Sequence, residues 1–327
     1  MNIEKIEFGG YRIGIPVPFP MKYVYCYLFK QNNGYVLIDV GLNYPAAREM
    51  WQEIFDHFEI GPQDIRTIYL THFHPDHSGL SGWMQEHSGA DLFMNEVDAR
   101  MIELEWGEGN VYVARMKEMV LQHGVPVDLA DEITDQMDNL QKNVLPLPAS
   151  KPIGDKIEFG EKQWSVIHTP GHSPGHICFF QEEEGILIGG DHVLEKITPN
   201  ISVMPGACQQ PLHEYIDSLR KLKKYPIKKI YPAHHTPVLN VNERIDELIQ
   251  HHEERLAYIE SLADHNTTYE IAKILFSYKE LNSHQWRFAI AETIAHLNYL
   301  EREGRITKQN QDPIVYIKKY KIGSKNT

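Results

Sequence analysis

Three histidines and one aspartate are crowded into six positions of the chain, between residues 72 and 77. The run reads His-x-His-x-Asp-His, and imidazole together with carboxylate is the ligand set that zinc and similar ions prefer. A lone histidine is usually a surface-loop residue, but four such groups in this order rarely arise from composition alone. The run therefore indicates a divalent metal site, and its candidate ligands are His72, His74, Asp76 and His77.

The segments on both sides of this run predict how it is held. Residues 65–70 are mostly β-branched or aromatic, which predicts a buried strand, and apolar residues at helical spacing predict a helix that begins near His77. On a strand-like tip, His72 and His74 point to the same side. Pro75 bars a regular continuation of the strand, so the following turn can swing the other two groups toward a neighbouring point. This arrangement suits two adjacent ions better than one.

Further polar groups stand in short motifs elsewhere in the chain. These motifs are Leu-Ile-Asp-Val-Gly at 37–41, Thr-Pro-Gly-His at 169–172, Gly-Gly-Asp-His at 189–192 and Pro-Ala-His at 232–234. Together with residues 71–79, and in this order, they resemble the signature of the metallo-β-lactamase superfamily over about residues 23–236. The resemblance is closest to the hydrolase branch that includes glyoxalase II. That branch usually shows Gly-His-Gly where this chain has Ala233-His234-His235.

The resemblance implies a site for two divalent cations, with zinc expected and iron or manganese as alternatives. The implied ligands are His72, His74 and His172 for the first cation, and Asp76, His77 and His234 for the second. Asp191 would bridge the two cations, because a carboxylate offers two oxygens and carries charge. The resemblance also implies that Asp39 hydrogen-bonds near the turn with the predicted ligands and orients that turn.

Neighbouring histidines compete with two of the implied ligands. His168 and His176 flank His172 in a loop that prolines and glycines constrain. The Pro-Gly-His step of the family pattern selects His172, and the other two are expected to hydrogen-bond within the framework. The motif register selects His234 over His235, which could donate a proton, bind substrate or have no role.

Such a site predicts a hydrolase that uses a hydroxide bridging two divalent metal ions, since the ions lower the pKa of the water between them. Asp76 and Asp191 are the expected catalytic carboxylates. The expected substrate is a small ester, thioester or lactone. A phosphodiesterase or ribonuclease and a mononuclear-iron dioxygenase of sulfur compounds are alternatives, and a non-catalytic DNA-binding regulator is the last. No Ser-His-Asp or Gly-x-Ser-x-Gly pattern suggests a rival nucleophile.

Composition describes a soluble globular protein, with 42% hydrophobic and 24% charged residues among 327. The N-terminal residues carry charges and no long apolar run, which predicts neither a signal peptide nor a membrane span. The cysteines, Cys26, Cys178 and Cys208, are odd in number and far apart. Reduced thiols and a cytoplasmic location are therefore expected.

The net charge of −13 is unevenly distributed. From His265 to the end there are 10 basic and 6 acidic residues, a balance of +4, which leaves −17 for the rest of the chain. A strongly acidic body is a poor partner for a phosphate backbone. Binding of nucleic acid is therefore expected to be weak, and a small molecule is the expected partner.

Residues from about 95 to 143 predict two or three helices that the family core does not need. The segment holds 11 acidic and 4 basic residues and four methionines, Met101, Met116, Met119 and Met137. The methionines either pack the core of a helical hairpin or line a cap with an adaptable apolar wall over the site. Residues 197–202 are a weaker candidate for a substrate-facing loop. His251 and His252 lie on a predicted helix over residues 242–263 and are expected at its surface.

From Thr268 onward, two predicted helices and a hairpin resemble a winged-helix module. Such modules often bind DNA. Here the helix that would enter the groove carries Glu292 and Glu301, with Arg287 as a rare basic residue. A packing or dimerisation role, which allows a homodimer, is therefore favoured over DNA binding.

The predicted fold is α/β. The resemblance implies a four-layered αββα sandwich over residues 1–264, with the helical insertion at about 95–143, and a winged-helix-like domain over residues 265–327.

Overall fold

The larger sheet of the computed structural model carries the His-x-His-x-Asp-His run at the end of one of its strands. The structure describes residues 1–109 and 111–319, and within them this sheet has seven strands in chain order. They are β1 (Asn2–Lys5), β2 (Gly10–Pro16), β3 (Tyr23–Gln31), β4 (Gly34–Ile38), β5 (Ile65–Tyr69), β6 (Asp91–Met94) and β7 (Ser150–Pro152). Strands β1 to β4 pair antiparallel, and β4 to β7 pair parallel.

A second sheet packs against the first through an aromatic layer. Its strands are β8 (Lys156–Phe159), β9 (Lys162–His168), β10 (Ile177–Gln181), β11 (Ile186–Gly190) and β12 (Lys229–Pro232). The inner faces contribute alternate residues, as the period of a strand requires. The buried residues of this layer include Tyr27, Phe29, Val36, Ile38, Tyr69, Phe159, Trp164, Phe179, Ile188 and Tyr231. Burial of so many large side chains holds the two sheets face to face.

Helices cover the outer faces of both sheets. The helices are α1 (Pro45–Phe58), α2 (Pro75–Ser78), α3 (Ser81–Ser88), α4 (Glu96–Trp106), α5 (Tyr112–Gln122), α6 (Val127–Leu140), α7 (Pro211–Leu222), α8 (Val241–Leu262), α9 (Thr268–Leu275) and α10 (Ser283–Arg302). Trp51 and Phe55 of α1 and Leu219 of α7 belong to the same apolar core as the outward-facing Leu28 and Leu187 of the two sheets. The predicted four-layered α/β sandwich is confirmed.

The helix predicted to begin near His77 is divided into α2 and α3. The amide of Leu80 donates to the carbonyl of Gly41, and the amide of Val40 donates to the carbonyl of His77. These bonds to the loop after β4 take the place of helical ones. Gly79 at the division leaves no room for a side chain, since an added Cβ would lie 2.4 Å from the Pro75 carbonyl oxygen. These two hydrogen bonds therefore hold the turn with the predicted metal ligands against the loop after β4.

The segment after β6 forms three helices, α4, α5 and α6, as predicted. Met101, Met116 and Met137 are buried within the main apolar core of the protein. Helix α6 also packs on α10, so the segment joins the C-terminal part of the chain to the sandwich.

The C-terminal residues form α9 and α10 followed by an antiparallel hairpin, in the order that the sequence predicted. The hairpin strands are β14 (Ile306–Gln309) and β15 (Val315–Lys318), and β13 (Asp264–Thr267) pairs with β15. The boundary at residue 264 between two domains stays a prediction.

Candidate metal centre

Three imidazoles meet beyond the end of β5. The Nε2 atom of His72 lies 3.1 Å from Nδ1 of His74, which lies 2.9 Å from Nε2 of His172. His72 and His74 come from the turn after β5, and His172 comes from the Pro-Gly-His loop between β9 and β10. The structure thus brings together three predicted ligands from two loops. His74 and His172, whose rings are in contact, are 98 residues apart along the chain.

A second group of donors lies next to the first. The Oδ2 atom of Asp76 lies 3.3 Å from Nε2 of His234 and 3.7 Å from Nε2 of His77. The carboxylate of Asp191 lies between the groups. Its Oδ1 is 3.5 Å from Nε2 of His77, and its Oδ2 is 3.5 Å from Nε2 of both His172 and His234. Asp191 follows β11, and His234 follows β12, which pairs parallel with β11. All seven predicted ligands are therefore in one place, whereas ligation itself stays a prediction.

Hydrogen bonds behind the rings fix which nitrogen of each imidazole faces this centre. Thr71 Oγ1 donates to Asp39 Oδ2 at 2.8 Å, so it accepts from Nδ1 of His72 at 3.0 Å. Nδ1 of His77 lies 2.9 Å from the same Asp39 oxygen. With Nδ1 carrying the proton, the Nε2 lone pairs of His72 and His77 face inward. Asp39 therefore makes the orienting contacts that the family resemblance implied.

The other two loop histidines are held in the same way by backbone carbonyls. Nδ1 of His172 donates to the carbonyl of Asn200 at 2.8 Å, and Nδ1 of His234 donates to the carbonyl of Tyr23 at 3.0 Å. Both bonds leave Nε2 as an acceptor directed at the centre. Outer hydrogen bonds of this kind are the usual support of metal-binding histidines.

The donor set fits divalent metal ions. Nε2 of His77, Nε2 of His234 and Oδ1 of Asp191 are buried and have no hydrogen-bond partner in the described part of the chain. Buried polar atoms are normally paired, and inward lone pairs only 3 Å apart repel each other unless a cation lies between them. Two of the groups of atoms within 4.8 Å of one another are His72 with His74 and His172, and Asp76 with His77 and His234. These are the two predicted ligand sets.

Burial and charge also prepare His72, His74 and Asp76 to bind a cation. Burial lowers the pKa of His72 and of His74, so both rings are neutral at neutral pH. Burial also opposes ionisation of Asp76, but His77 and His234 outweigh it and lower its pKa to about 2. Neutral imidazoles and an ionised carboxylate are the forms that bind metal.

No sequence motif marked Asp98, which supports both loops of predicted ligands. Its buried carboxylate accepts hydrogen bonds from the amide of Phe73 at 3.1 Å, the hydroxyl of Ser173 at 2.6 Å and the amide of Gly175 at 2.6 Å. Phe73 stands between His72 and His74, and Ser173 follows His172. Asp98 lies on α4, so the first helix of the insertion is part of the support of the site.

The C-terminal helix α10 supports the site through Glu292. The side-chain amide of Asn200 donates to Glu292 at 3.0 Å, and Glu292 lies 2.7 Å from Arg255 of α8. The carbonyl of Asn200 is the group that holds His172. A chain of contacts thus joins α8 and α10 to one predicted ligand.

The predictions for other histidines were correct for His168 and His176 and wrong for His252. Nε2 of His168 donates to the Pro174 carbonyl of its own loop, 3.0 Å away, and Nδ1 of His176 lies 2.9 Å from Thr169 Oγ1, as predicted for framework residues. The prediction of a surface position for His252 is wrong. His252 is buried against His296, with 3.2 Å between their ring nitrogens, because α10 covers that side of α8.

A cavity of about 360 Å³ opens onto the centre. Its wall includes His74, Asp76, His172, Asp191 and His234. The insertion contributes Glu105, Tyr112, Met116 and Leu140, the loop at 197–202 contributes Ile197 to Asn200 and Ser202, and α10 contributes His284, Gln285, Arg287, Phe288 and Ala291. Both the insertion and the loop line the cavity, and their roles as a cap and a substrate-facing element stay predictions.

Comparison with known proteins agrees with this geometry. The family model described as the metallo-beta-lactamase superfamily matches residues 20–234, and the model described as the metallo-beta-lactamase-like C-terminal domain matches residues 256–319. The chain belongs to the metallo-β-lactamase superfamily. This membership, with the metal-ligand geometry, makes it a metal-dependent hydrolase. The glyoxalase II-like branch is compatible with these matches and stays a prediction.

Relatives within the superfamily share the whole architecture. The "Probable metallo-hydrolase YqjP" of Bacillus subtilis is 27% identical over 94% of this chain and 97% of its own. The metallo-beta-lactamase family protein TTHA1429 of Thermus thermophilus is 33% identical, with a TM-score of 0.85 over 95% of this chain and 99% of its own. A beta-lactamase domain protein of Burkholderia ambifaria is 27% identical, with a TM-score of 0.84 over 97% and 94% of the two chains. The similarity therefore includes the insertion and the C-terminal part.

We predict that His234→Ala lowers the metal content by about one ion per chain, whereas His235→Ala leaves it unchanged. Nε2 of His234 faces Asp76 and Asp191, and His235 belongs to none of the groups of converging donor atoms found among the described residues. Elemental analysis of the two purified variants provides the comparison, and each serves as the other's control. Loss of metal in His235→Ala alone would show that the ligand assignment is displaced by one residue.

Proposed function

We propose that the chain binds two divalent metal ions and hydrolyses a small ester, thioester or lactone. The observation that carries this proposal is the cavity on the metal centre, whose wall is mainly apolar and whose volume of about 360 Å³ suits a small molecule. Its apolar side chains include Phe19, Met116, Leu140, Val203 and Phe288. An acyl chain would bury its apolar surface there while its carbonyl carbon lies at the ligand cluster.

Each polar residue of the centre has a defined task in this reaction. Bound divalent ions would supply an activated water near neutral pH and would stabilise the oxyanion that forms. His72, His74 and His172 would hold one ion, and Asp76, His77 and His234 the other, with Asp191 shared between them. Asp76 also lines the cavity, so its ionised carboxylate can accept a hydrogen bond from the attacking water and orient it. The carbonyl of Asn200 keeps the proton of His172 on Nδ1.

The charge of the cavity wall favours an acyl substrate over a nucleic acid. A nucleic-acid groove needs a series of cations that follow the phosphates. Among the described residues that line the cavity, Arg287 is the one arginine, lysine is absent, and Asp76, Glu105 and Asp191 are acidic. The net charge of −13 opposes the approach of a long polyanion in the same way. The phosphodiesterase and ribonuclease are therefore the weaker alternative.

Assay of both substrate classes with one metal-loaded preparation tests the proposal. We expect measurable hydrolysis of small acyl esters, thioesters or lactones, and weak binding of RNA that falls steeply as salt rises. Efficient cleavage of RNA at moderate salt, with acyl substrates untouched, would reject the acyl hydrolase in favour of a nuclease. Metal analysis of the same preparation separates the hydrolase, with about two ions per chain, from a dioxygenase with a single iron.

A further inference from the structure

The cavity wall contains a buried cation that the proposed reaction does not use. Arg287, on α10, is only 9% exposed and lines the cavity with its neighbours His284 and Phe288. Its guanidinium lies over the Phe288 ring, 4.6 Å from the ring centroid, which covers one face of the group. The planar edge, which carries the N–H donors, is left for polar partners.

Arg287 has few polar partners for so buried a charge. Its Nε is buried and has no hydrogen-bond partner in the described part of the chain. Its ion-pair partner is Glu105 of α4, whose carboxylate oxygen is 3.8 Å away, beyond hydrogen-bond distance. A guanidinium has five donors, and a buried charge is costly unless it is paired and hydrogen-bonded.

The charge of Glu105 is itself reduced by its surroundings. Burial raises the pKa of Glu105 to about 7, although Arg287 acts in the opposite direction. A large fraction of Glu105 is therefore protonated at neutral pH, while arginine stays charged. The cavity then holds a cation with an incomplete counter-charge.

We propose that Arg287 binds a carboxylate at the end of the substrate's acyl chain, so that the substrate is the monoester or monothioester of a dicarboxylic acid. This inference rests on the proposed acyl hydrolysis and names its substrate class. A carboxylate matches the planar guanidinium with two parallel hydrogen bonds and brings a single negative charge. A phosphate monoester would bring more negative charge than one arginine offsets beside Glu105. The apolar walls around Met116 and Leu140 would contact the methylene groups between the two ends.

The test compares phenyl thioesters of glutaric and adipic acid with the matching thioesters whose far end is a carboxamide. The two ends have the same shape and differ in charge. We expect the carboxylate compounds to have a kcat/KM at least about tenfold higher in the wild type, since hydrogen bonds to charged groups are the stronger ones. Arg287→Met should bring the ratio of carboxylate to carboxamide kcat/KM close to one, and Arg287→Lys should keep part of the preference for the carboxylate.

Glu105→Gln is the matched control for a merely structural ion pair. If Arg287 only holds Glu105, Arg287→Met and Glu105→Gln should each lower the melting temperature, and neither should change the ratio of carboxylate to carboxamide kcat/KM. Under our proposal Glu105→Gln keeps or increases that ratio. A wild-type ratio near one, or a ratio that survives Arg287→Met, overturns the role of Arg287 and leaves the acyl hydrolase intact.

A binding measurement separates failure of this inference from failure of the proposed function. Glutaranilic acid is the amide counterpart of the glutaryl thioester, and its binding to the purified, metal-loaded protein can be followed by calorimetry. We expect the wild type to bind it at least about tenfold more tightly than Arg287→Met does, with no difference for the terminal carboxamide. If no ester, thioester or lactone is hydrolysed but this difference appears, the proposed reaction is wrong and the carboxylate site stands. Equal binding by both proteins rejects the site.

Discussion

Replacing Asp191 with alanine is expected to lower the metal content and to reduce kcat/KM on the order of a thousandfold. The Asp191 carboxylate is 3.5 Å from Nε2 of each of His77, His172 and His234, and it is the group placed between the two ligand sets. Without it, both of the proposed ions would lose a charged ligand. A metal ion contributes several kcal/mol to transition-state stabilisation, and each ~1.4 kcal/mol lost costs a factor of ten in rate. Elemental analysis and steady-state kinetics of the variant measure the two effects.

Asp217→Ala is the control for the loss of one carboxylate. Asp217 lies on α7 with 57% of its side chain exposed and takes part in ion pairs at the surface. Such pairs contribute little, so this variant should keep both its metal and its activity. An Asp191→Ala protein with two ions per chain and full activity would refute the assignment of this site.

The sequence predicted which residues converge because these residues stand at the ends of strands within short motifs. His72 follows β5 and Asp191 follows β11, and a strand end fixes both the position and the direction of the next side chain. The Pro-Gly step before His172 restricts the backbone and so fixes the position of that side chain as well. Local sequence therefore determined the local geometry, and parallel pairing of β11 with β12 brought His234, the last predicted ligand, beside Asp191.

The supports of the site were harder to predict because they depend on contacts between distant segments. Asp98 stands three residues after Asn95, whose side chain caps α4 by accepting from the Val97 amide. An acidic residue in a first helical turn has an ordinary explanation in the helix dipole, so nothing in the sequence signalled a contact with Phe73 or Gly175. The prediction of a surface position for His252 was wrong for the same reason, since only the packing of α10 on α8 buries it.

These contacts also change how the insertion should be tested. Removing residues 95–143 would delete Asp98 together with the wall that Met116 and Leu140 form. A change in substrate preference would then be confounded with damage to the ligand loops. A single substitution at Asp98 isolates the supporting role.

Asp98→Ala is expected to lower the free energy of unfolding by about 3 kcal/mol or more and to weaken metal binding roughly 10- to 100-fold. The substitution leaves the Phe73 amide, the Ser173 hydroxyl and the Gly175 amide buried without their acceptor, and each such group costs about 1–3 kcal/mol. Residues that orient metal ligands have effects of this size on metal affinity. Denaturant unfolding of the metal-free protein measures the first effect, and competition with a chelator measures the second.

Asp128→Ala separates this role from the general effect of an acid at a helix start. Asp128 also stands in the first turn of a helix, α6, but is exposed, so its removal should cost no more than the ~0.3–1 kcal/mol of a helix-dipole interaction. Asp98→Asn should fall between the two, because its amide keeps one acceptor oxygen while its NH2 group faces a donor. If Asp98→Ala matched Asp128→Ala in both measurements, the two ligand loops would be held by their own backbone bonds alone. A large loss confined to Asp98 would instead show that the insertion is required to hold His74 and His172 together.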